Sequence, residues 1–163
     1  MKLDPLFYVK NNKLVFIEDN EPFDSANLER IEISWNTVEL ENEVYNEEYL
    51  ANLREHIKKF ETTSKFAVLV PIADKSLKTS EQIELFTNTF NHTARRLKDC
   101  INIVGFELIP ELLESGIDAG STARNFIATI AVKHAQYIYF IKQENIQKFN
   151  LTNADTLGEI CIY

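Results

Sequence analysis

Residues 66–72 read FAVLVPI, and residues 101–109 read INIVGFELI. Both are short and nearly continuous apolar runs, which are typical of strands that are covered on both faces. The segment between them predicts a helix, because Thr79 and Gln82 form a capping-box pattern and the apolar residues that follow recur every three or four positions. The centre of the chain therefore predicts a strand–helix–strand unit with parallel strands.

The same alternation extends in both directions from this unit. RIEISW at residues 30–35 predicts an earlier strand, and NEEYLANLREHIKKFE predicts a helix with Asn46 as its cap. A third helix, which we expect to be capped by Ser121, precedes two further strands at residues 137–141 and 160–163. The chain from residue 30 onward thus reads as consecutive strand–helix units.

The N-terminal part has a different pattern. Leu6–Lys10 and Lys13–Glu18 are apolar runs on either side of Asn11-Asn12, a pair that tolerates the left-handed angles of a tight hairpin turn. Residues 19–29 are polar and acidic, and we expect a loop there. The sequence therefore predicts one domain over residues 1–163, with a hairpin and an acidic loop in residues 1–27 and the strand–helix units in residues 28–163.

Two architectures accept the predicted order of elements. One is half of a (β/α)8 barrel (a TIM barrel), with about four parallel βα units and an N-terminal β-hairpin; the alternative is an open, flavodoxin-like three-layer α/β sheet. A full barrel typically needs about 250 residues, whereas this chain has 163.

The charge of the chain is unevenly distributed. The formal net charge is -8, and residues 1–50 carry 12 acidic and four basic side chains, whereas the remainder is balanced. An acidic surface repels phosphate backbones, so we expect no nucleic-acid partner. No signal peptide or membrane-spanning segment is evident, which predicts a cytoplasmic protein without a membrane partner.

The sequence gives no indication of a cofactor or metal site. It contains neither a Gly-x-Gly-x-x-Gly motif nor a Walker loop. His56, His92 and His134 each lie on a predicted helix without a second ligand three or four positions away. Cys100 and Cys161 lie in apolar surroundings and predict buried thiols rather than a disulfide.

Three segments resemble family 5 glycoside hydrolases of the cellulase type, which have a TIM-barrel fold. ERIEISW with the helix after it is similar to the family's second strand and helix, where an Arg-Ile-Pro-x-x-Trp strand is found. FNHTARRLKDC is similar to the Ala-x-Arg-Phe-Lys-Asp run of its third helix, and INIVGFELIPELL is similar to the fourth strand, which ends in Asn-Glu-Pro. The resemblance covers residues 28 to 141 and implies a truncated, degenerate relative of the family.

The resemblance also implies where the chemistry would lie. Glu111 matches the general acid/base, while Pro110 and Leu112 stand where the family has asparagine and proline. The nucleophilic glutamate comes from the family's seventh strand, which we do not expect this chain to reach. Glu107 lies four positions from Glu111, roughly 13 Å on an extended strand, which is too far for a pair of hydrolytic carboxyls. If Pro110 opens a helical turn instead, Glu111 is a first-turn carboxylate stabilised by the helix dipole.

Four residues are candidates for contacts with a carbohydrate at the mouth of the strands: Trp35, Asn36, Asp74 and Glu107. The alternative for Trp35 is core packing or a partner interface, and Arg30 is a candidate ion-pair partner of Glu107 or Glu32.

These patterns lead to three hypotheses for the function. The first is a non-catalytic glycoside-hydrolase-like domain that binds carbohydrate, without a cofactor. The second is an active glycosidase completed by a partner chain, and the third is a structural or protein-interaction domain. The exposed edges of a half barrel also predict a homodimer or another form of self-association.

Overall fold

The computed structural model describes residues 3–152 and 154–163, and these form an α/β fold built around a parallel sheet. In chain order the strands are β1 (Phe7–Lys10), β2 (Lys13–Phe16), β3 (Pro22–Phe23), β4 (Glu29–Ser34), β5 (Glu39–Glu41), β6 (Val44–Tyr45), β7 (Ala67–Ile72), β8 (Ile103–Glu107), β9 (Ile138–Ile141) and β10 (Ile160–Ile162). The α-helices are α1 (Trp35–Val38), α2 (Glu47–Lys58), α3 (Ser80–Arg96), α4 (Pro110–Leu113), α5 (Thr122–Ala131), α6 (Gln143–Lys148) and α7 (Ala154–Leu157).

The parallel sheet has five strands in the order β10-β9-β8-β7-β4. Neighbouring strands in the sheet follow one another along the chain, and all four pairs are parallel. A doubly wound sheet reverses its strand order at a switch point, and this sheet has no reversal. The half-barrel prediction is therefore confirmed as an open part of a barrel, and the flavodoxin-like alternative is wrong.

Each face of the parallel sheet has its own apolar cluster. The larger cluster packs α1–α5 against sheet residues such as Ile33, Leu69 and Phe106. The smaller cluster lies on the opposite face, called the inner face here, where Phe7 and Leu14 pack against residues of all five strands or their ends. Consecutive right-handed crossovers place all helices on one side of the sheet, so the inner face corresponds to the interior of a barrel.

The antiparallel β1-β2-β3 sheet covers this inner face. Asn11 and Asn12 turn the chain between β1 and β2 with φ angles of 52° and 63°, which confirms the predicted hairpin. The turn also meets β10: the Ile162 amide donates to the Asn12 carbonyl at 2.9 Å. The predicted loop over residues 19–29 is wrong at Pro22–Phe23, because these residues pair with β2 as β3.

The helix starts follow the sequence signals. Asn46 accepts from the Tyr49 amide at 3.1 Å and Ser121 accepts from the Arg124 amide at 3.1 Å, as predicted. The capping box of Thr79 and Gln82 is also present. Pro110 occupies the first turn of α4, so a helix begins directly after the β8 region.

No helix in the described part of the chain is long and apolar enough to cross a membrane.

Candidate functional site

A cluster of three polar side chains lies on the inner face. Glu107, the last residue of β8, has only 4% of its surface exposed. Its Oε1 accepts a hydrogen bond from Arg30 Nη2 at 2.9 Å and another from the Tyr163 hydroxyl at 2.5 Å. Arg30 belongs to β4 and Tyr163 follows β10, so the sheet brings together residues from its two edges and its central strand.

The electrostatics of this cluster define what each group can do. Burial, together with the neighbouring Glu107 carboxylate, raises the pKa of Tyr163, so the phenol keeps its proton and acts as a donor. The positive charge of Arg30 compensates the negative charge of buried Glu107. Because the Arg30 side chain is still 36% exposed, its guanidinium can also meet a ligand.

Two cavities meet at this cluster, since both are lined by Arg30 and Tyr163. One has a volume of about 320 Å³ and is also lined by Lys142, Gln143 and Glu144. The other has a volume of about 620 Å³ and extends along residues 22–26. The residues that line the first cavity all carry hydrogen-bonding groups, Phe23 borders the second, and carbon atoms form most of the surface of both. A saccharide, which has hydroxyl groups and apolar C–H faces, is compatible with such a lining.

Glu111 lies on a different element from Glu107. It is exposed in the first turn of α4, directly after Pro110. The structure therefore brings Glu107 to Arg30, as the sequence suggested, but places Glu111 on the helix that follows the strand. A catalytic role for Glu111 stays a prediction.

Trp35 lies in the helix-side core, with 2% of its surface exposed. The Trp35 ring packs edge-on against the Phe86 ring, with 5.3 Å between the ring centres, and Trp35 Nε1 donates to Glu39 Oε1 at 2.9 Å. Lys75 Nζ lies 3.3 Å from the same carboxylate oxygen and 5.1 Å from the centre of the Trp35 ring. These contacts match the core-packing alternative for Trp35, and its contact with carbohydrate stays a prediction.

Asp74 and Asn36 come together where β4 and β7 end. Asp74 Oδ1 accepts from the Asn36 amide at 2.9 Å, and its second oxygen accepts from the Ser34 hydroxyl. Ser34 in turn caps α1 by accepting from the Thr37 amide at 3.1 Å. The Asp74 carboxylate thus holds the start of α1, and a role in ligand binding stays a prediction for both residues.

Sequence reasoning missed Tyr163 and the pair of buried Glu39 and partly buried Lys75. Tyr163 is the partner of Glu107 across 56 residues of sequence, and no local pattern indicates such a contact. A signal for Glu39 was available, because its spacing of four residues from Trp35 places a carboxylate within reach of the indole.

Among the residues that the structure describes, the titratable groups outside this cluster form no metal centre. Within residues 3–152 and 154–163, no three His, Cys, Asp or Glu side chains form a group that could hold an ion. Cys100 and Cys161 are both free and buried. Burial raises the pKa of Cys100 to about 11, so its thiol stays protonated and a poor nucleophile at neutral pH.

Comparison with known proteins gives a likeness in fold alone. No family model matches the sequence, and no curated protein matches it. Endo-glycoceramidase II from Rhodococcus sp., in complex with a cellobiose-like isofagomine, matches 85% of this chain at 13% identity with a TM-score of 0.59. The same enzyme in a ganglioside GM3 complex matches 87% of this chain at 13% identity with a TM-score of 0.58.

A GH5_18 protein from Bifidobacterium longum subsp. infantis matches 69% of this chain at 8% identity with a TM-score of 0.51. The matched region is 52% and 51% of the two endo-glycoceramidase chains and 33% of the GH5_18 chain. The chain therefore spans about half the length of the endo-glycoceramidase, and its fold is that of part of a glycoside hydrolase barrel.

Proposed function

We propose that residues 1–163 work as one glycoside-hydrolase-like domain that binds carbohydrate without cleaving it. The proposed binding site is the inner-face cluster of Arg30, Glu107 and Tyr163 with its two cavities. The likeness to part of a barrel supports the class of ligand, because the matched endo-glycoceramidase structures are complexes with a cellobiose-like compound and a ganglioside.

The observation that carries this proposal is the pairing of buried Glu107 with two donors. Arg30 and Tyr163 line both cavities, and their bonds to buried Glu107 hold these two side chains in place. A sugar hydroxyl that enters either cavity can accept from the exposed part of the Arg30 guanidinium and donate to the Tyr163 phenol oxygen. Bonds of this kind would orient a saccharide without any change in its covalent structure.

The same arrangement argues against hydrolysis by this domain alone. Glycosidases need two carboxyls about 5–5.5 Å or 6.5–9.5 Å apart, one of them able to give up a proton. The negative charge of Glu107 is compensated by Arg30, and Glu111 lies on a different element, in the first turn of α4. We therefore assign Glu107 to positioning Arg30 and Tyr163 for the ligand and give neither glutamate a catalytic role.

The alternative is an active glycosidase whose second carboxylate comes from a partner chain. The exposure of Glu111 favours this alternative, because an exposed carboxylate can face another polypeptide. An aryl glycoside assay distinguishes the two: turnover that Glu111→Gln abolishes would establish the alternative, whereas our proposal expects no turnover.

Binding is tested by titrating isotopically labelled protein with cellobiose and lactose and following amide chemical shifts. We expect shifts at the inner-face cluster, and a loss of affinity of about tenfold or more in Glu107→Gln. Tyr163→Phe removes one donor with little change in shape and provides a second variant if Glu107→Gln does not fold. Glu111→Gln is the matched control and should bind as the parent does. Equal binding by all four proteins would refute the assignment of the site.

We also propose that the protein self-associates through the edge of the sheet at β4. The outer edge of β10 is occupied by the hairpin turn, through the Asn12 carbonyl and the Lys13 ammonium. The Glu29 amide donates to the Phe66 carbonyl, so alternate residues of β4 face β7 and the amide of exposed Glu32 faces the free edge. Sedimentation analysis of the parent and of Glu32→Pro, which removes that free amide, tests this proposal.

A further inference from the structure

The β5–β6 hairpin presents an apolar face to solvent. Glu39 and Tyr45 are cross-strand partners, and both point into the protein, because Glu39 is 1% exposed and the Tyr45 ring stacks on His92. Side chains alternate along a strand, so the neighbouring residues Leu40 and Val44 point outward. Leu40 is 59% exposed and Val44 is 50% exposed.

The strand register places these two aliphatic side chains together. Glu41 is the cross-strand partner of Val44, and β5 has one more residue than β6 between the two pairs. Leu40 and Glu41 therefore both lie opposite Val44, as in a β-bulge. The outward face of the hairpin thus combines two exposed aliphatic side chains with a carboxylate beside them.

Further carboxylates lie next to this face. A cavity of about 270 Å³ separates the hairpin turn from the start of α3, and it is lined by Asn42, Glu43, Glu81, Glu84, Leu85 and Asn88. The three glutamates of this lining are exposed, as are Glu41 in β5 and Glu48 in the first turn of α2.

None of these five carboxylates forms an ion pair with another residue in the described part of the chain. The cations near the hairpin act on its inward side, where Lys75 binds Glu39 and Arg95 acts on the hydroxyl of Tyr45. The outward face is therefore an apolar centre within a field of uncompensated negative charge, which attracts a positively charged partner.

We propose that this face is a docking surface for a segment of another protein in which a short apolar run is flanked by lysine or arginine residues. The apolar run would pack on Leu40 and Val44, and the flanking cations would pair with the surrounding glutamates. Nucleic acids and anionic membranes carry the same sign of charge as this face and are repelled. A second copy of the chain would place like charges opposite each other in a two-fold contact.

The proposal is tested with the full chain and three fluorescently labelled heptapeptides: KKLVLKK, KKGGGKK and EELVLEE. Anisotropy titration should show that KKLVLKK binds at least about tenfold more tightly than KKGGGKK, which has the same charge but no apolar run. EELVLEE should not bind, because its charge has the wrong sign. Binding of KKLVLKK should weaken as the salt concentration rises, since salt screens the exposed charges.

Two variants locate the binding. Leu40→Ser and Glu84→Lys should each weaken KKLVLKK binding at least about threefold, through the loss of apolar contact and the reversal of one charge. Both residues are exposed, so both variants should melt as the parent does.

Glu159→Lys is the matched control for the charge reversal. Glu159 is 79% exposed and directly precedes β10, at the opposite edge of the parallel sheet from β4. This variant changes the net charge as Glu84→Lys does, and it should bind KKLVLKK within about twofold of the parent.

Several results would overturn the proposal. Equal affinity for KKLVLKK and KKGGGKK, or equal weakening by Glu84→Lys and Glu159→Lys, would show attraction by net charge alone. Self-association that Leu40→Ser abolishes would make a second copy of the chain the occupant. Because this face shares no residue with the inner-face cluster, its failure and the failure of carbohydrate binding can be told apart.

Discussion

At the scale of single residues, Gly105 permits the close approach of β8 to β9. A Cβ atom built at Gly105 would lie 1.6 Å from the Ile138 carbonyl oxygen, which is backbone and cannot move aside. We expect Gly105→Ala to reduce the free energy of unfolding by more than about 3 kcal/mol, measured by urea denaturation.

Gly120→Ala is the control for that substitution. Gly120 has a φ of +87° but open space where a Cβ would stand, so alanine there should cost about 1–2 kcal/mol for the left-handed backbone alone. A smaller loss in Gly105→Ala than in Gly120→Ala would contradict the predicted strand contact.

Asp99 provides a prediction with a pH dependence. The hydrogen bonds from Arg54 hold the pKa of Asp99 below its usual value of 3.8. The pair therefore stabilises the fold above that value, and the contribution is lost as the pH falls through the lower folded-state pKa. Both side chains are 36% exposed, so we expect Asp99→Asn to cost only about 1 kcal/mol at pH 7.

In the same urea measurement, the difference between the parent and Asp99→Asn should shrink as the pH falls below 3.8, because the carboxylate is protonated as the pH passes through its lowered folded-state pKa. Glu55→Gln removes another carboxylate that contacts Arg54 but is 72% exposed, and it should change stability by no more than about 0.5 kcal/mol. A cost of Asp99→Asn that stays constant down to pH 2 would show that the ion pair is not its origin.

Residue-level prediction from sequence succeeded where the signal is local. The caps at Asn46, Thr79 and Ser121 depend on a side chain and an amide three positions later, so sequence spacing is sufficient. The contact of Arg30 with Glu107 was one of two candidate pairs. Tyr163 was missed because its contact depends on the register of β10 against β9 and β8, which no local spacing reveals.

At the scale of elements, the hairpin turn covers the outer edge of β10 through Asn12. Its Nδ2 donates to the Leu157 carbonyl at 2.6 Å and to the Ile160 carbonyl at 2.9 Å. Asn12→Gly keeps the left-handed backbone but removes both bonds, so we expect a loss of about 1–2 kcal/mol and faster hydrogen exchange at the Ile162 amide.

Asn11→Gly is the matched control, because Asn11 shares the left-handed turn with a φ of 52°. It should leave the exchange of the Ile162 amide unchanged. If both glycine variants speed exchange equally, the effect belongs to the turn backbone and not to the Asn12 side chain.

The long elements were predicted from sequence, whereas the two-residue strands β3 and β6 were not. The apolar periodicity of α2 and α3 and the apolar runs of β7 and β8 determine their type without tertiary information. The two-residue strands β3 and β6 have too few residues to show a period, and they form because β2 and β5 provide their partners. Trp35, predicted as the end of a strand, begins α1 because Ser34 and Asp74 cap the helix there.

At the scale of the whole molecule, the N-terminal sheet covers the face that lies inside a complete barrel. Four phenylalanines form the contact. The centre of the Phe7 ring lies 4.5 Å from that of Phe16, 5.4 Å from that of Phe23 and 5.0 Å from that of Phe66. Phe66 directly precedes β7, whereas the other three belong to the hairpin and β3. The apolar inner face therefore depends on a segment that is separate in sequence from the strand–helix units.

This dependence predicts that damage to the hairpin destabilises the parallel sheet. Phe7 is 4% exposed, and Phe7→Ala should reduce the free energy of unfolding by about 3–5 kcal/mol. The adjacent Tyr8 faces away and donates to exposed Asn20, so Tyr8→Ala is the control and should cost about 1 kcal/mol or less. Because Val68 and Val104 lie in the same cluster, opening the inner face should also increase binding of a hydrophobic dye in Phe7→Ala. Equal losses in both variants, without increased dye binding, would show that the inner face is stable without this cover.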